Sequence, residues 1–273
     1  MKKTLFVLIG VFIFSSCEAP IGVEVGDSEP LLVIEAQINW IKETRKTEQK
    51  VVLSISSSYF SNNFKPAIGA EVNIVDGDEN RYVFSETIES PGHYIPLDTI
   101  PYVLNQELHL NITYKDQKYT SSENLVPVST IDSVKQKSVF FFEKERTQLN
   151  AYCMDPKNER NFTFFEFKGE PLEVSEYKVY SDDFNDGFIY DGFIFGKNVK
   201  VNDVIRFRQY GLSKRGYHYW KLLIEQNIQG SGGGAFQIPV NLNGNIKNLS
   251  PSNAYPLGYF RASEVSELYY LVK

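Results

Sequence analysis

Cysteine is almost absent from the sequence, which contains only Cys17 and Cys153 among 273 residues. Two cysteines are too few to hold together a disulfide-rich scaffold. Cys153 lies among apolar neighbours in residues 150–154, and this setting favours a buried, unreactive thiol. If Cys17 is modified, Cys153 has no partner for a disulfide within the chain.

Positive charge is scarce as well, because 28 Lys and Arg stand against 34 Asp and Glu, which gives a net charge of −6. No basic stripe is visible, so the sequence excludes a nucleic-acid partner. The three histidines, His93, His109 and His218, are far apart and form no HExxH motif. We therefore predict neither a metal site nor a cofactor.

Sequence motifs for catalysis are missing too. Neither a phosphate-binding loop nor a nucleophile elbow occurs. Ser175 and Lys178 match the S-x-x-K motif, but their segment has the pattern of a strand, which places residues three apart on opposite faces. The 34 acidic residues do not single out any pair for glycoside hydrolysis. We therefore predict no catalytic residue and expect a protein that is not an enzyme.

An apolar run at the N-terminus, Thr4–Phe14, is too short to span a bilayer as a helix, which takes about 20 apolar residues. Lys2 and Lys3 precede this run, and small residues follow it. A basic start, a short apolar centre and a small-residue exit define a secretory signal peptide, which we assign to residues 1–16. Its removal takes two lysines and changes the net charge from −6 to −8.

The segment Phe14–Cys17 (FSSC) resembles a bacterial lipobox, in which small residues precede a cysteine that is acylated and becomes the new N-terminus. We therefore predict that Cys17 carries lipid and anchors the mature chain in a membrane. The alternative is an ordinary signal peptide with a cysteine there by chance. Residues 17–30 contain proline, glycine and acidic residues without periodicity, which is typical of a tether.

Short alternating segments with turn signals begin where the tether ends. Two clear examples are Arg81–Glu86 and Glu107–Tyr114, and an Asp-Gly turn precedes the first of them. About seven strands in about 95 residues are expected of an immunoglobulin-like or prealbumin-like sandwich. We assign this β-sandwich domain to residues 31–128 and interpret residues 124–131 as a linker.

The rest of the chain, residues 129–273, has further strand patterns and one helical pattern. Apolar residues recur at helical spacing from Tyr217 to Ile228, so a helix is predicted near residues 214–229, with Ser213 as its cap. Two short strands are predicted near the end, at Gly258–Arg261 and Glu267–Val272. The chain is therefore predicted to be mainly β, with an N-terminal sandwich followed by a β-rich domain with one helix.

Four aspartates in the densest acidic stretch form a candidate binding loop: Asp182, Asp183, Asp186 and Asp191. Their oxygens could hold calcium, but their spacing matches no known calcium loop and favours a solvated turn. Exposed aromatic residues in loops, at Tyr59-Phe60 and between Phe184 and Phe193, are candidate contacts for a ligand or partner.

The order and spacing of several short segments resemble a family of Bacteroidota lipoproteins known as domain of unknown function 4249. These segments are Cys17-Glu18, Pro30–Ala36, Gly69–Val72, Pro91–Tyr94, Asp155-Pro156 and Gly258–Phe260. The resemblance implies an outer-membrane lipoprotein, often found with TonB-dependent transporters. It supplies no catalytic residues.

Two further residues are candidate O-glycosylation sites. Thr99 and Ser133 each follow an aspartate and precede an apolar residue, a pattern that is modified in Bacteroidota envelope proteins. Both are expected at turn or linker positions, where a glycan could be accommodated. The pattern is short, so chance matches are the alternative.

From these features we expect a non-catalytic accessory or binding protein. It would be anchored in the outer membrane by its N-terminal lipid and would work with a TonB-dependent β-barrel transporter. A surface adhesin or structural envelope protein is one alternative. A glycan-acting enzyme is another, and it would require carboxylates that converge in a cleft.

Overall fold

The computed structural model describes eight segments of the chain, residues 30–57, 64–141, 144–172, 175–183, 186–196, 199–230, 242–251 and 255–273. The signal peptide (residues 1–16) and Cys17 lie outside these segments, so their assigned roles stay predictions. Tyr59, Phe60 and Phe184 lie outside them too. No helix within the eight segments is long and apolar enough to cross a membrane.

Sixteen strands and one α-helix make up the described part of the chain. The strands are β1 (Leu32–Ile41), β2 (Thr47–Ile55), β3 (Lys65–Pro66), β4 (Glu71–Asp76), β5 (Arg81–Glu86), β6 (His93–Pro96), β7 (Glu107–Tyr114), β8 (Gln117–Asn124), β9 (Ile131–Phe141), β10 (Lys144–Met154), β11 (Phe162–Lys168), β12 (Glu176–Ser181), β13 (Ile189–Gly196), β14 (Val204–Leu212), β15 (Lys247–Asn248) and β16 (Leu257–Leu271). The helix, α1, spans Lys214–Gly230, and a 3-10 turn spans Glu170–Leu172. The predicted fold class, mainly β with one helix, is confirmed.

Thirteen strands form one mixed sheet in the order β12-β11-β14-β16-β1-β2-β6-β5-β4-β7-β8-β15, with β3 paired to β2. Strands β13, β10 and β9 form a second sheet. The pair β1 and β16 is parallel and joins the first described strand to the last. Because this pair lies in the middle of the large sheet, the first and last described strands hold its two halves together.

The first core follows from the alternating pattern of its strands. In β7 the side chains of Leu108, Leu110 and Ile112 are buried, whereas those of Glu107 and His109 are exposed. The sheet curls until β8 lies beside β16, so that the buried faces of β1, β2, β4, β7 and β16 meet. This arrangement is sandwich-like, as predicted.

Asn245 closes the gap between β8 and β16. Its Nδ2 donates to the carbonyl oxygen of Phe260 at 2.7 Å, and its Oδ1 accepts the N–H of Phe260 at 2.8 Å. Its own carbonyl oxygen accepts the hydroxyl of Ser121 at 2.9 Å. The side chain of Asn245 thus pairs with the backbone N–H and carbonyl oxygen of Phe260, at an edge of β16 where no neighbouring strand supplies these hydrogen bonds.

Strand β16 differs from the prediction, because the structure has one continuous strand of 15 residues where two short strands were expected. Its first half pairs with β1 and buries Phe260 and Ala262 in the first core. Its second half pairs with β14 and packs Leu268 and Tyr270 against the second core. Both faces of the centre of β16 are covered, so polar residues there are buried as well as apolar ones. The sequence of this part therefore lacks the alternation of apolar and polar residues from which a strand is predicted.

The second core lies between the three-stranded sheet and one face of β11 and β14. Phe165, Phe167 and Phe207 are fully buried there. Helix α1 covers the opposite face of the same strands, where Trp220 packs over Phe164. The large sheet is therefore covered on both sides in this region.

Ser213 caps α1, as the sequence predicts. Its Oγ accepts the N–H of Gly216 at 3.1 Å and donates to Oε2 of Glu123 at 3.1 Å. The hydroxyl of Tyr259 donates to the same carboxylate oxygen at 2.7 Å. A buried carboxylate is stabilised here by these donors and by the positive end of the helix dipole. The contacts fix the start of α1 to β8 and β16.

The segment interpreted as a linker, residues 124–131, is packed onto β16. Val126 forms a parallel bridge with Ser263, and its carbonyl oxygen accepts the N–H of Glu264 at 2.9 Å. Leu125 is buried in the first core. The passage between the two cores is therefore an integral part of the packing.

Candidate binding cleft

A cleft of about 380 Å³ opens where β1 turns into β2. Residues 40–47, residues 99–102 and Glu264 form its walls. These come from the β1–β2 hairpin, the loop after β6 and the centre of β16. Small-molecule sites usually have volumes of about 300–1,000 Å³, so the cleft is large enough for a small ligand.

The first wall of the cleft is the hairpin turn. The N–H of Ile41 donates to the carbonyl oxygen of Lys46 at 3.0 Å. The Thr44 hydroxyl donates to the carbonyl oxygen of Ile41 at 2.8 Å and accepts the N–H of Lys46 at 3.0 Å. Glu43 has a φ of +59°, which is uncommon for a residue with a side chain. The threonine thus fixes the turn that carries the basic rim residues.

The second wall is held by a clamp on the backbone of Ile100. The Gln49 side chain donates from Nε2 to the carbonyl oxygen of Ile100 at 2.8 Å and accepts its N–H at 2.9 Å. The indole N–H of Trp40 donates to the same carbonyl oxygen at 2.9 Å. All three bonds are buried, so they tie the loop after β6 firmly to the hairpin.

Lys42 and Glu264 form the base of the cleft. Lys42 Nζ donates to Glu264 Oε2 at 3.2 Å and to the carbonyl oxygen of Val128 at 2.8 Å. The N–H of Val128 donates to the same carboxylate oxygen at 3.0 Å. Burial raises the pKa of Tyr102 above its ordinary value, and the charge of Glu264 and a hydrogen bond to it raise it further. The base is therefore neutral overall and already hydrogen-bonded.

The rim of the cleft combines charge with an aromatic ring. Arg45 and Lys46 are exposed, and neither has a side-chain partner within the described segments. Glu43 is the acidic residue beside them. The Tyr102 ring meets Trp40 edge-on, with ring centroids 6.2 Å apart. The cleft therefore offers a ligand charged side chains for ionic contacts and an aromatic ring for packing.

The aspartates of the predicted binding loop are used within the chain. Each carboxylate accepts a hydrogen bond, and the pairs are Asp182–Asn161, Asp183–Arg160, Asp186–Asn158 and Asp191–Asn150. The first three aspartates lie between β12 and β13 and hold the loop before β11, whereas Asp191 lies within β13. Within the eight segments, no three His, Cys, Asp or Glu side chains are grouped to hold a metal ion. A binding role for these aspartates stays a prediction.

The candidate glycosylation sites occupy different environments. Thr99 is exposed in the loop after β6 and forms part of the cleft wall. Ser133 is half-buried within β9, opposite Tyr152, rather than at a turn or in a linker as expected. Ser133 lies in a strand because β9 begins at Ile131 and pairs with β10 along this stretch. Modification at either residue stays a prediction.

Sequence reasoning missed the cleft. The basic turn Lys42–Lys46 between two strand patterns was the available signal, because three of its five residues are Lys or Arg. Glu264 and Ile100 carried no comparable signal, since they reach the cleft only through the pairing of β16 with β1 and through the clamp by Gln49.

Comparisons with known proteins provide a family match. The sequence profile described as "Domain of unknown function (DUF4249)" matches residues 18–268. No curated protein matches the sequence. Among solved structures, a DUF4785 family protein from Legionella pneumophila matches with a TM-score of 0.26 and 8% identity, over 66% of this chain and 52% of that chain. The match thus spans about half of that structure.

Proposed function

The chain belongs to the DUF4249 family, and from this premise we propose that it is a lipid-anchored, non-catalytic binding protein of the outer membrane. In this proposal Cys17 carries the lipid and residues 17–30 form the tether. The folded part is an accessory to a TonB-dependent transporter and binds the cargo in the cleft. The leader and lipobox pattern of the sequence support the anchor.

The observation that carries the proposal is the position of the cleft relative to the tether. The tether leads into β1 at Leu32, whereas the cleft begins at Trp40, at the other end of the same strand. A strand of this length extends about 30 Å, at about 3.3 Å per residue. The cleft therefore lies away from the anchored end of the strand. In that position a ligand or a partner protein can reach it.

The state of the cleft walls also supports a binding role. Lys42, Glu264 and the backbone of Ile100 already have their hydrogen-bond partners. A ligand would therefore meet fixed walls and would lose little free energy to their ordering.

Purification from native membranes tests the proposal. The full chain, tagged at its C-terminus, is expressed in its natural host, extracted in mild detergent and purified, and its partners are identified by mass spectrometry. We expect a TonB-dependent β-barrel to co-purify with the parent chain. Cys17→Ala is the matched control, and after leader cleavage, verified by mass, it should leave the membrane fraction.

Two outcomes would contradict the proposal. Recovery of the parent chain without any β-barrel would exclude the transporter partnership and favour a surface adhesin. A cleaved Cys17→Ala chain that stays with the membrane as the parent does would exclude the lipid anchor.

A further inference from the structure

The rim of the cleft has a charge opposite to that of the whole chain. The chain carries −6, whereas the rim has Arg45 and Lys46 against Glu43. Both rim cations are exposed and unpaired within the described segments, while Lys42 at the base is already paired with Glu264. Unpaired cations around a concave surface attract anions, and the attraction extends about 8 Å at physiological ionic strength.

An aromatic ring also lines the cleft. Tyr102 keeps 44% of its surface exposed, although its ring contacts Trp40 and its hydroxyl interacts with Glu264. Trp40 itself is only 6% exposed and is fixed by its hydrogen bond to Ile100. The ring of Tyr102 thus rests on a rigid support and can pack against an apolar or ring-shaped part of a ligand.

We propose that the cleft binds a small ligand in which an acidic group is attached to a ring. The acidic group lies at Arg45 and Lys46, and the ring lies against Tyr102. This assignment rests on the proposed binding function and names the chemical class of the ligand. Sugar acids and aromatic acids share this chemistry, and a volume of about 380 Å³ restricts the ligand to a small molecule.

Matched pairs of probes test the charge requirement and separate the two sources. Methyl glucuronide is compared with methyl glucoside, and benzoate is compared with benzamide. Binding to the full chain, purified in detergent at low salt, is measured by calorimetry and by ligand-observed NMR. At least one acid should bind about fivefold more tightly than its neutral partner, since each exposed ion pair contributes modestly. The pair that shows the larger difference identifies the source.

Variants of the rim test the assignment to named residues. The double variant Arg45→Glu with Lys46→Glu should reduce the affinity for the acid to that for the neutral partner. Lys50→Glu, on the exposed face of β2 outside the cleft, is the control and should leave the affinity unchanged. Tyr102→Ala should weaken both members of a probe pair to the same extent. Because the rim residues are exposed, thermal unfolding should be close to that of the parent.

The inference is overturned if acids and neutral partners bind equally, if none of the four probes binds, or if the double variant binds the acid like the parent. Its failure is distinguishable from failure of the proposed function. A β-barrel that co-purifies with a chain unable to bind the acids would overturn only the ligand class. Binding of an acid by a chain with no β-barrel partner would overturn only the transporter partnership.

Discussion

Arg208 and Glu48 are joined by two parallel hydrogen bonds, although 160 residues separate them in the sequence. Nη1 and Nη2 of the guanidinium donate to the two carboxylate oxygens at 2.7 and 2.6 Å. The Nε of Arg208 also donates to Glu267 at 2.5 Å. Since Arg208 lies on β14 and Glu48 on β2, the pair reaches across β16 and β1 and links strands of both cores.

This pair predicts a pH-dependent contribution to stability. The hydrogen bond from Arg208 lowers the pKa of Glu48 below 4.5, while burial opposes the shift. A lowered pKa in the folded state contributes stability above the ordinary pKa, and this contribution is lost as the pH falls through the lowered value. Glu48→Gln should therefore reduce the free energy of unfolding by about 1 kcal/mol at neutral pH, because the carboxylate is partly exposed.

Denaturant unfolding from pH 7 down to pH 3 checks this prediction. The difference between parent and Glu48→Gln should be constant above pH 4.5, the ordinary value, and should shrink below it. Glu43→Gln in the exposed hairpin turn is the matched control. A difference that persists unchanged at pH 3 would contradict the role of the carboxylate charge. Arg208→Lys should also destabilise, since an ammonium cannot reproduce the two parallel bonds.

Gly258 provides a second prediction, at the point where β16 joins β1. Its φ is +98°, and a Cβ there would lie 2.1 Å from the carbonyl oxygen of Ile34. Gly258→Ala should therefore lower the free energy of unfolding by about 3 kcal/mol or more. Gly77→Ala is the matched control, because its Cβ would meet nothing within 4 Å, and it should change stability by less than about 0.5 kcal/mol. Equal stabilities of the two variants in urea would contradict the tight junction.

A comparison of β5 and β7 with β16 shows how far sequence patterns predict the fold. The strands β5 and β7 span Arg81–Glu86 and Glu107–Tyr114, as their alternation predicts, because each has one buried and one exposed face. The centre of β16 was not predicted, because Ser263 and Glu264 are buried although they are polar. Their hydroxyl and carboxylate groups are satisfied by distant residues, and no local pattern encodes such partners.

The cleft was beyond prediction for the same reason. Its polar base depends on Lys42 and Glu264, which are 222 residues apart and meet only through a parallel strand pair. Acidic residues that are dense in the sequence, such as Asp182 and Asp186, instead serve to hold loops. Local density of charge in the sequence therefore did not point to the cleft.

Gln49 provides a third prediction, since it clamps the cleft wall. Gln49→Ala removes both hydrogen bonds between the Gln49 side chain and the backbone of Ile100. The buried N–H of Ile100 then loses its acceptor, Gln49 Oε1. We expect a loss of about 2 kcal/mol in the free energy of unfolding. Hydrogen exchange at the amide of Ile100 should become faster. Gln37→Ala on β1 is the matched control, because that side chain has no hydrogen-bond partner within the described segments. Unchanged exchange at Ile100 would show that Trp40 alone holds the loop.

The thiols offer a fourth prediction, which joins the fold to the anchor. Cys153 is buried, and burial raises the pKa of its thiol to about 12. Its Sγ also donates to Oε1 of Gln209 at 2.9 Å. The thiol is therefore protonated at pH 8 and enclosed by the second core, so native Cys153 should not react with a disulfide reagent.

Counting thiols after denaturation then reports on Cys17. The mature chain from membranes should expose one reactive thiol if Cys17 is held in a thioether to lipid, and two if it is free. Cys153→Ala is the matched control, and its membrane form should expose none. Two thiols in the denatured parent would contradict lipidation without affecting the fold. Rapid reaction of the native chain that disappears in Cys153→Ala would instead contradict the burial of Cys153, because only an open second core could admit the reagent.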